Sequence, residues 1–491
     1  MSLPITISDD TSLPVSKRLC AGIREAISSG LLSPPDRMPS AQELAESLGI
    51  SRSSVVKAYE ELIGYGLLVA EKGKGTFVCH PSSLALPGSG ALLMEGAGRA
   101  WSGQAAREMS PLGIRLLSSP SASPVSADLP HLFYGAPPID LLPTNKWKEL
   151  LLKYCRTLEP RQLRHMDQVF GLPELRKAIA DYLRRRQGIQ CTWEQVAVFD
   201  GSQNALGHIG QLLVDADSVV LVENPGYGGA REYFSALGAE VRAIDLDQDG
   251  IKIEPLRKLE TPARLCYVTP SHHDPLGLTM SLQRRHELLT WAQDNCCYVI
   301  EDAYDSDYFY EGPAQPTLQS LDKNQQVLYI YSFWKILFPL VTVGVLVVPP
   351  SLVDLFHKHK GLTERQFPTI DQYALTEFID GGHLDLHTRK MRRIFKARRQ
   401  ALLYALTRHL QGCVRLARHS AGLHQALEFD ASFSPEKIMA ASEGSGLLLT
   451  ATNSYYVSRP NSQEFLVPFA AMSTKDTESI VEQFAARLKQ T

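Results

Sequence analysis

The sequence predicts two folds in series. A small α+β helix-turn-helix unit with a β-hairpin wing is followed by a large α/β domain of mostly parallel sheet, which ends in a smaller α+β C-terminal lobe. Three observations predict this. Up to residue 80, short helical patterns joined by a glycine turn run into strand, glycine turn, strand. From about Leu129 onward, short apolar runs alternate with helical stretches, as in a parallel sheet covered by helices. Between the two, residues 81–126 are rich in Ser, Pro, Gly and Ala with little apolar periodicity, the composition of a flexible linker. The expected domains are therefore 8–80 and 127–491, joined by 81–126.

Composition narrows the function classes. With 491 residues, 44% hydrophobic and 21% charged, the chain is ordinary globular protein rather than a disordered or collagenous one. Fifty Lys+Arg against 53 Asp+Glu leave a net charge of −3, so any polyanion site is local. The eight cysteines are scattered without a CxxC pair, which reads as reduced core thiols in a cytoplasmic protein. The start, MSLPITISDD, carries acids where an export signal needs basic and then apolar residues. The longest apolar run, Ile336 to Val353, is broken by three prolines and suits a buried strand and turn better than a membrane helix.

In the N-terminal unit, Val15, Leu19, Ile23 and Ile27 recur every fourth residue and make one helical stripe. Pro34-Pro35-Asp36 breaks the chain, and Ser40 with Glu43 forms a capping box for a second helix that ends at Gly49. Ser51 caps a third helix with Val55, Val56, Tyr59, Leu62 and Ile63 inward. Leu67 to Ala70 and Thr76 to Cys79, around a Gly-Lys-Gly turn, are the wing.

Such a second helix lies in the major groove with its N-terminal residues at the base edges. Here those residues are Ser51, Arg52, Ser53, Ser54 and Lys57, with Arg37, Ser40, Lys72, Lys74 and Gly75 around them for phosphate contacts. Residues 1–80 hold 8 Lys+Arg and 9 Asp+Glu, so geometry rather than net charge supports DNA binding. Pattern alone leaves a helical protein-interaction module as the alternative. The segment PPDRMPSAQELAESLGISRSSVVKAYEELIGYGLLVAEKGKGTFV resembles the GntR-type winged helix throughout. It departs at Gln42, where that family often has Arg.

In the large domain the apolar runs are Val196–Phe199, Val219–Val222, Cys266–Val268, Tyr298–Ile300, Val327–Ile330 and Val343–Val348, with a long basic helix from about His387 to His409. Polar residues follow several of these runs, where open α/β sheets bind ligands. Lys335 follows one of them, and a desolvated lysine forms a Schiff base with a carbonyl cofactor. Asp302 follows another, and a carboxylate is what a pyridinium nitrogen requires. Together they suggest pyridoxal phosphate. A snorkelling lysine and a helix-capping aspartate are the plain alternatives. Ser202 and Gln203, after Gly201, open a helix whose N-terminus suits a phosphate, and Ser332 adds a hydroxyl. Tyr227 is placed to stack on the ring and Tyr304 to donate to its phenolic oxygen.

Residues 130 to 470 resemble fold type I aminotransferases, and within them the MocR subgroup, in which a GntR-type winged helix precedes that domain. The matching segments include GLPELRKAIADYLRRRQGI, GSQNAL, VENPGYGGAREYF, YVTPSHHDPLG, VIEDAYDSDYFY and SFWKILFP. The resemblance implies a PLP-dependent aminotransferase-like domain with Lys335 as the Schiff-base residue and a head-to-tail homodimer on a double-stranded DNA operator. It implies a small amine, an amino acid or the cofactor itself as effector. Four positions depart from the family: Thr342 stands where an Arg clamps the phosphate, Asp274 where Asn approaches the cofactor oxygen, Trp334 for a small residue, and Tyr331 for a glycine expected beside the pocket. Asp274 is thereby a cofactor-site candidate, and Arg459 is the nearest candidate to grip an effector carboxylate.

His272-His273-Asp274 lacks a completing ligand, so no metal is expected, and Cys296-Cys297 is expected in the core. The leading reading is a ligand-responsive transcription regulator. A working aminotransferase with a DNA-binding head, and a regulator whose large domain has exchanged the cofactor for another ligand, are the alternatives.

Overall fold

A computed structural model describes residues 14–28, 31–32, 36–64, 67–71, 75–78, 109–118, 137–159, 168–310, 315–364, 369–417 and 421–490. The chain forms two compact units, residues 1–107 and 108–491.

In the first unit, α1 (Val15–Ser28), α2 (Ala41–Leu48) and α3 (Arg52–Gly64) precede a hairpin of β1 (Leu68–Glu71) and β2 (Gly75–Val78). Leu19, Ile23, Leu44, Val55, Leu62 and Leu68 meet in one buried cluster, so most of the stripes read from the sequence face each other, whereas Val15 and Ile63, expected in them, are exposed. The Ser40–Glu43 capping box forms, and Gly49 closes α2 in the left-handed conformation that a side chain disfavours. Ser51 Oγ accepts the Ser54 N–H at 3.3 Å, starting α3. Met38 N–H donates to Thr76 O at 2.8 Å and Val78 N–H to Asp36 O at 2.9 Å, so residues 36–38 run along the hairpin as a third strand-like segment.

The second unit begins within the stretch expected to be linker. There α4 (Pro111–Ser118) is held by Arg115, whose Nε and Nη2 donate to Ala236 O at 2.6 Å and Leu237 O at 2.8 Å. Those are last-turn carbonyls of a helix, which lack intrahelical partners, so a guanidinium binds there well. The rest of 81–126 lies outside the described residues.

Helices α5 (Thr144–Thr157) and α6 (Pro173–Gln187) lead to β3 (Val196–Phe199), α7 (Ser202–Leu213), β4 (Val219–Asn224), α8 (Gly228–Leu237), β5 (Glu240–Asp247) and β6 (Gly250–Ile251). Then follow α9 (Glu254–Arg257), β7 (Ala263–Val268), α10 (Leu282–Asp294), β8 (Tyr298–Ala303), α11 (Leu318–Leu321), β9 (Val327–Ser332), α12 (Trp334–Leu337) and β10 (Gly344–Val347). The sheet order is β3-β10-β9-β8-β7-β4-β5-β6, with β10 antiparallel to both neighbours and β5-β4-β7-β8-β9 parallel. Side chains alternate across it: Val220 and Val222 pack with Phe199 and Phe234 on one face, Val219 and Leu221 with Ile244 and Trp291 on the other. Each such aliphatic burial contributes about 1.5–3 kcal/mol.

The C-terminal lobe follows α13 (Val353–Thr363) and α14 (Thr369–Asp380). It consists of α15 (His383–His409), β11 (Val414–Leu416), β12 (Gln425–Phe429), α16 (Pro435–Ser445), β13 (Thr450–Ala451), β14 (Glu464–Val467) and α17 (Thr477–Gln490), its strands forming an antiparallel sheet.

All six apolar runs read as strands are strands, and α15 starts one turn earlier than expected. Strand β5 was not foreseen: EVRAIDLD alternates rather than running apolar, as a partly exposed strand next to the sheet's edge should. The cysteines are a partial correction. Cys20, Cys266 and Cys297 are buried, but Cys155 and Cys296 are exposed, and Cys296 sits in a turn at φ 51° before β8 begins. Among the described residues no helix is long and apolar enough to cross a membrane.

Candidate cofactor cavity and nucleic-acid interface

At the carboxyl ends of the parallel strands lies a cavity of about 360 Å³. It is lined by Ser202, Gln203, Tyr227, Asp274, Asp302, Tyr304, Ser332 and Lys335, the eight residues expected from the sequence to hold a cofactor. Gly201, Tyr267, Thr269, Trp334 and Tyr455 complete the wall.

Asp302 comes from the end of β8. The Tyr267 hydroxyl donates to its Oδ2 at 2.7 Å, while Oδ1 is buried and accepts from no group among the described residues. Burial, opposed by the Tyr267 hydrogen bond and reinforced by Asp274 and Asp305, pushes the carboxyl up to about 7. Lys335 stands at the start of α12, directly after β9, with Nζ 5.0 Å from the Trp334 ring centre and 5.5 Å from that of Tyr304. Desolvation holds its amine below the ordinary lysine range, against the pull of Asp305, Asp274 and Asp302.

Behind the wall, the Thr269 N–H and hydroxyl donate to buried Glu223 at 3.0 and 2.8 Å, and Asp274 N–H donates to Thr269 Oγ1 at 3.1 Å. Burial chiefly pushes Glu223 up to about 8, with Asp274 and Asp302 adding to the rise. His272 Nδ1 lies 2.7 Å from Asp305 Oδ2 and 3.0 Å from the Tyr304 hydroxyl. His273 Nε2 bonds Pro225 O at 3.0 Å, and burial pushes that imidazole down to about 3. Both histidines therefore serve the wall of the cavity.

At the other end of the cavity, α7 starts at Ser202, and the first N–H groups of a helix lack intrahelical partners. Strand β10 passes so close that a Cβ on Gly344 would lie 2.3 Å from the Gly201 carbonyl carbon, so only glycine fits there. Ser332 Oγ accepts the Trp334 N–H at 3.2 Å. At Thr342, where the family resemblance leads one to expect Arg, the hydroxyl donates to Asp200 Oδ1 at 2.6 Å.

The remaining departures resolve differently. Tyr331 does not crowd the cavity: strand alternation sends Ser332 toward it and Tyr331 away, where its hydroxyl donates to buried Asp307 at 2.6 Å. Trp334 does line the cavity, and Asp274 faces it. Arg459 is exposed and borders a separate surface cleft with Asn224, Asp245 and Asp247, so it is not a wall residue of the Lys335 cavity. The chain turns outward at residues 457–460 after Val457 N–H bonds Asn224 Oδ1 at 3.0 Å.

Sequence reasoning missed Tyr267, Thr269 and Tyr455. The first two sit at the end of a recognised strand and were legible as polar groups there. Tyr455 arrives from the C-terminal lobe, where its carbonyl accepts from Gly226 N–H and Arg231 Nη1, both at 3.1 Å. No local signal announces such a contact.

In the first unit, Ser51, Arg52, Ser53 and Lys57 are exposed at the start of α3 and Ser54 is half-buried. Ser51 Oγ bonds the hydroxyls of Ser53 at 3.0 Å and Ser54 at 2.8 Å. Arg37 lies across Gly75, where a Cβ would meet its Nε at 3.1 Å, so this guanidinium is carried at the base of the wing. Gln42, standing for the family's Arg, bonds Glu46 at 2.7 Å along its own helix. Ser40 is committed to the α2 cap, and Lys72 and Lys74 lie outside the described residues.

The family of bacterial regulatory proteins, gntR family, matches residues 15–78, and aminotransferase class I and II matches residues 135–484. The chain is 31% identical to the probable rhizopine catabolism regulatory protein MocR of Rhizobium meliloti, over 96% of this chain and 93% of that protein. It is 28% identical to the pyridoxine biosynthesis transcriptional regulator PdxR of Corynebacterium glutamicum, over 92% and 91%. The structure is similar to kynurenine aminotransferase of Pyrococcus horikoshii with a TM-score of 0.68 at 23% identity, covering 81% of this chain and 99% of that one, a likeness of fold. A gntR-type helix-turn-helix ahead of an aminotransferase class I and II domain, matched along nearly its whole length by such regulators, makes this chain a member of the MocR family of helix-turn-helix transcription regulators.

Proposed function

We propose that the large domain binds pyridoxal phosphate and that its occupancy by this cofactor, together with a small amine or amino acid, governs operator binding by a head-to-tail homodimer. The observation that carries the reading is the unpartnered, buried Asp302 Oδ1 in the same cavity as a desolvated lysine. That oxygen fits a cationic ring N–H, and Lys335 fits an aldehyde. The α7 N-terminus with the Ser332 hydroxyl fits a phosphate. When bound, the cofactor supplies an aldehyde that condenses with amines and a ring that withdraws electrons.

The chain's own residues do the rest. Desolvation keeps the Lys335 amine available as a nucleophile, and Tyr267 orients Asp302 toward the ring nitrogen. Tyr227 offers a face for the ring, and the Tyr304 hydroxyl, tied to His272, offers a donor for its phenolic oxygen. Arg52 with Ser51, Ser53, Ser54 and Lys57 reads the major groove of double-stranded DNA, while Arg37 contacts phosphate.

A second reading has one observation in its favour. Thr342 bonds Asp200 at the position where the family resemblance expects an arginine, which suits a large domain that takes another ligand. A visible spectrum with added pyridoxal phosphate separates the two. A band in the parent chain that is absent in Lys335→Ala supports the first reading, and no band in either supports the second.

A further inference from the structure

The cavity is unbalanced in charge. Lys335 is the one cationic side chain among the described residues that line it, against the carboxylates of Asp274 and Asp302. Its remaining surface is largely aromatic: Tyr227, Tyr267, Tyr304, Trp334 and Tyr455. Asp302 is 5% exposed, and among the described residues no group donates to its Oδ1. Asp274 is 7% exposed and is held from behind by its N–H bond to Thr269.

Among the described lining residues, a ligand carrying a carboxylate would enter beside Asp274 with no lysine or arginine left to pair it once Lys335 is engaged. Buried like charges without a counter-ion are strongly disfavoured. An ammonium group meets the opposite situation. Asp274 offers a buried carboxylate, and the Tyr455 ring adds an aromatic surface of the kind that binds organic cations. We propose that the effector is a cationic amine bearing no carboxylate, and that Asp274 is the residue that selects it. The inference rests on the Lys335 cavity being the effector site, and it extends that reading by naming the ligand class.

The test uses 1,4-diaminobutane and ornithine, which differ by one carboxylate on an amine-bearing carbon. Each is titrated calorimetrically into the full chain, with and without pyridoxal phosphate. The diamine should bind at least about tenfold tighter than ornithine, the difference of one modest ionic contact. In Asp274→Asn that gap should close to about threefold or less, since the isosteric amide removes the charge alone. Ornithine binding as tightly as the diamine, an unchanged gap in Asp274→Asn, or no binding of either compound would overturn the proposal. If pyridoxal phosphate yields no visible band, the cofactor reading fails separately, and the diamine affinity of Asp274→Asn on the cofactor-free chain still decides this one, since an affinity equal to the parent's overturns it.

Discussion

Tyr267 spends its buried hydroxyl on Asp302 Oδ2, 2.7 Å away, and among the described residues the other oxygen of the same carboxylate has no donor. One strand thus orients a charge that the neighbouring strand carries.

Tyr267→Phe removes that donor. A hydrogen bond to a charged group contributes about 1.5–3 kcal/mol, so affinity for pyridoxal phosphate should fall roughly tenfold to a hundredfold. Absorbance titration of the variant against the parent chain measures it, and equal affinities would show that the hydroxyl does not set the Asp302 charge.

The stability that Asp302 and Glu223 contribute should fall as pH rises from about 4 to about 8, while His273, held down at about 3, contributes a rise that is complete near its unfolded value of about 6.5. Asp302 is pushed up to about 7 and Glu223 to about 8, both above their unfolded values. The folded chain therefore holds protons that the unfolded chain has released, and the stability this contributes is lost as pH rises through the folded values. Asp302→Asn with Glu223→Gln should flatten the dependence, by about 2–4 °C in Tm for each kcal/mol involved. Thermal melts of the cofactor-free chain at pH 5 and pH 8.5 provide the measurement.

Arg52→Ala should weaken binding to the operator by about 1–3 kcal/mol and relax specificity at one base pair. Arg37→Ala should weaken all sequences alike and reduce the salt slope by about one. Anisotropy titrations over a salt series with operator and scrambled DNA distinguish the two, and identical profiles for both variants would count against the recognition role of Arg52.

Thr342→Arg replaces the hydroxyl bonded to Asp200 with a guanidinium beside the α7 N-terminus. Affinity for pyridoxal phosphate should rise about tenfold, as expected for one charge-assisted phosphate contact. Affinity for unphosphorylated pyridoxal should stay level. A parallel gain for both aldehydes would place the effect somewhere other than the phosphate.

Much of the site was legible because it follows strand ends. Asp302, Ser332 and Lys335 each close an apolar run, and an open α/β sheet gathers such positions into one crevice. Capping chemistry was legible for the same reason of locality, as Ser40 and Glu43 show. What escaped was set by distance along the chain or by facing direction. Tyr455 reaches the cavity from another lobe, Arg459 turns away from it, and Tyr331 points into the core although its neighbour points out. Arg115 sits in a segment whose composition suggested no structure, and its order comes from two carbonyls at a helix end more than a hundred residues later.

That helix end has a mechanical meaning. Tyr227, at the head of α8, forms part of the cavity wall, and Ala236 and Leu237, at its tail, hold Arg115. Ten residues of α-helix make a strut about 15 Å long, too short and too well bonded to bend. The cavity wall at Tyr227 and the anchor of Arg115 thus share one short helix.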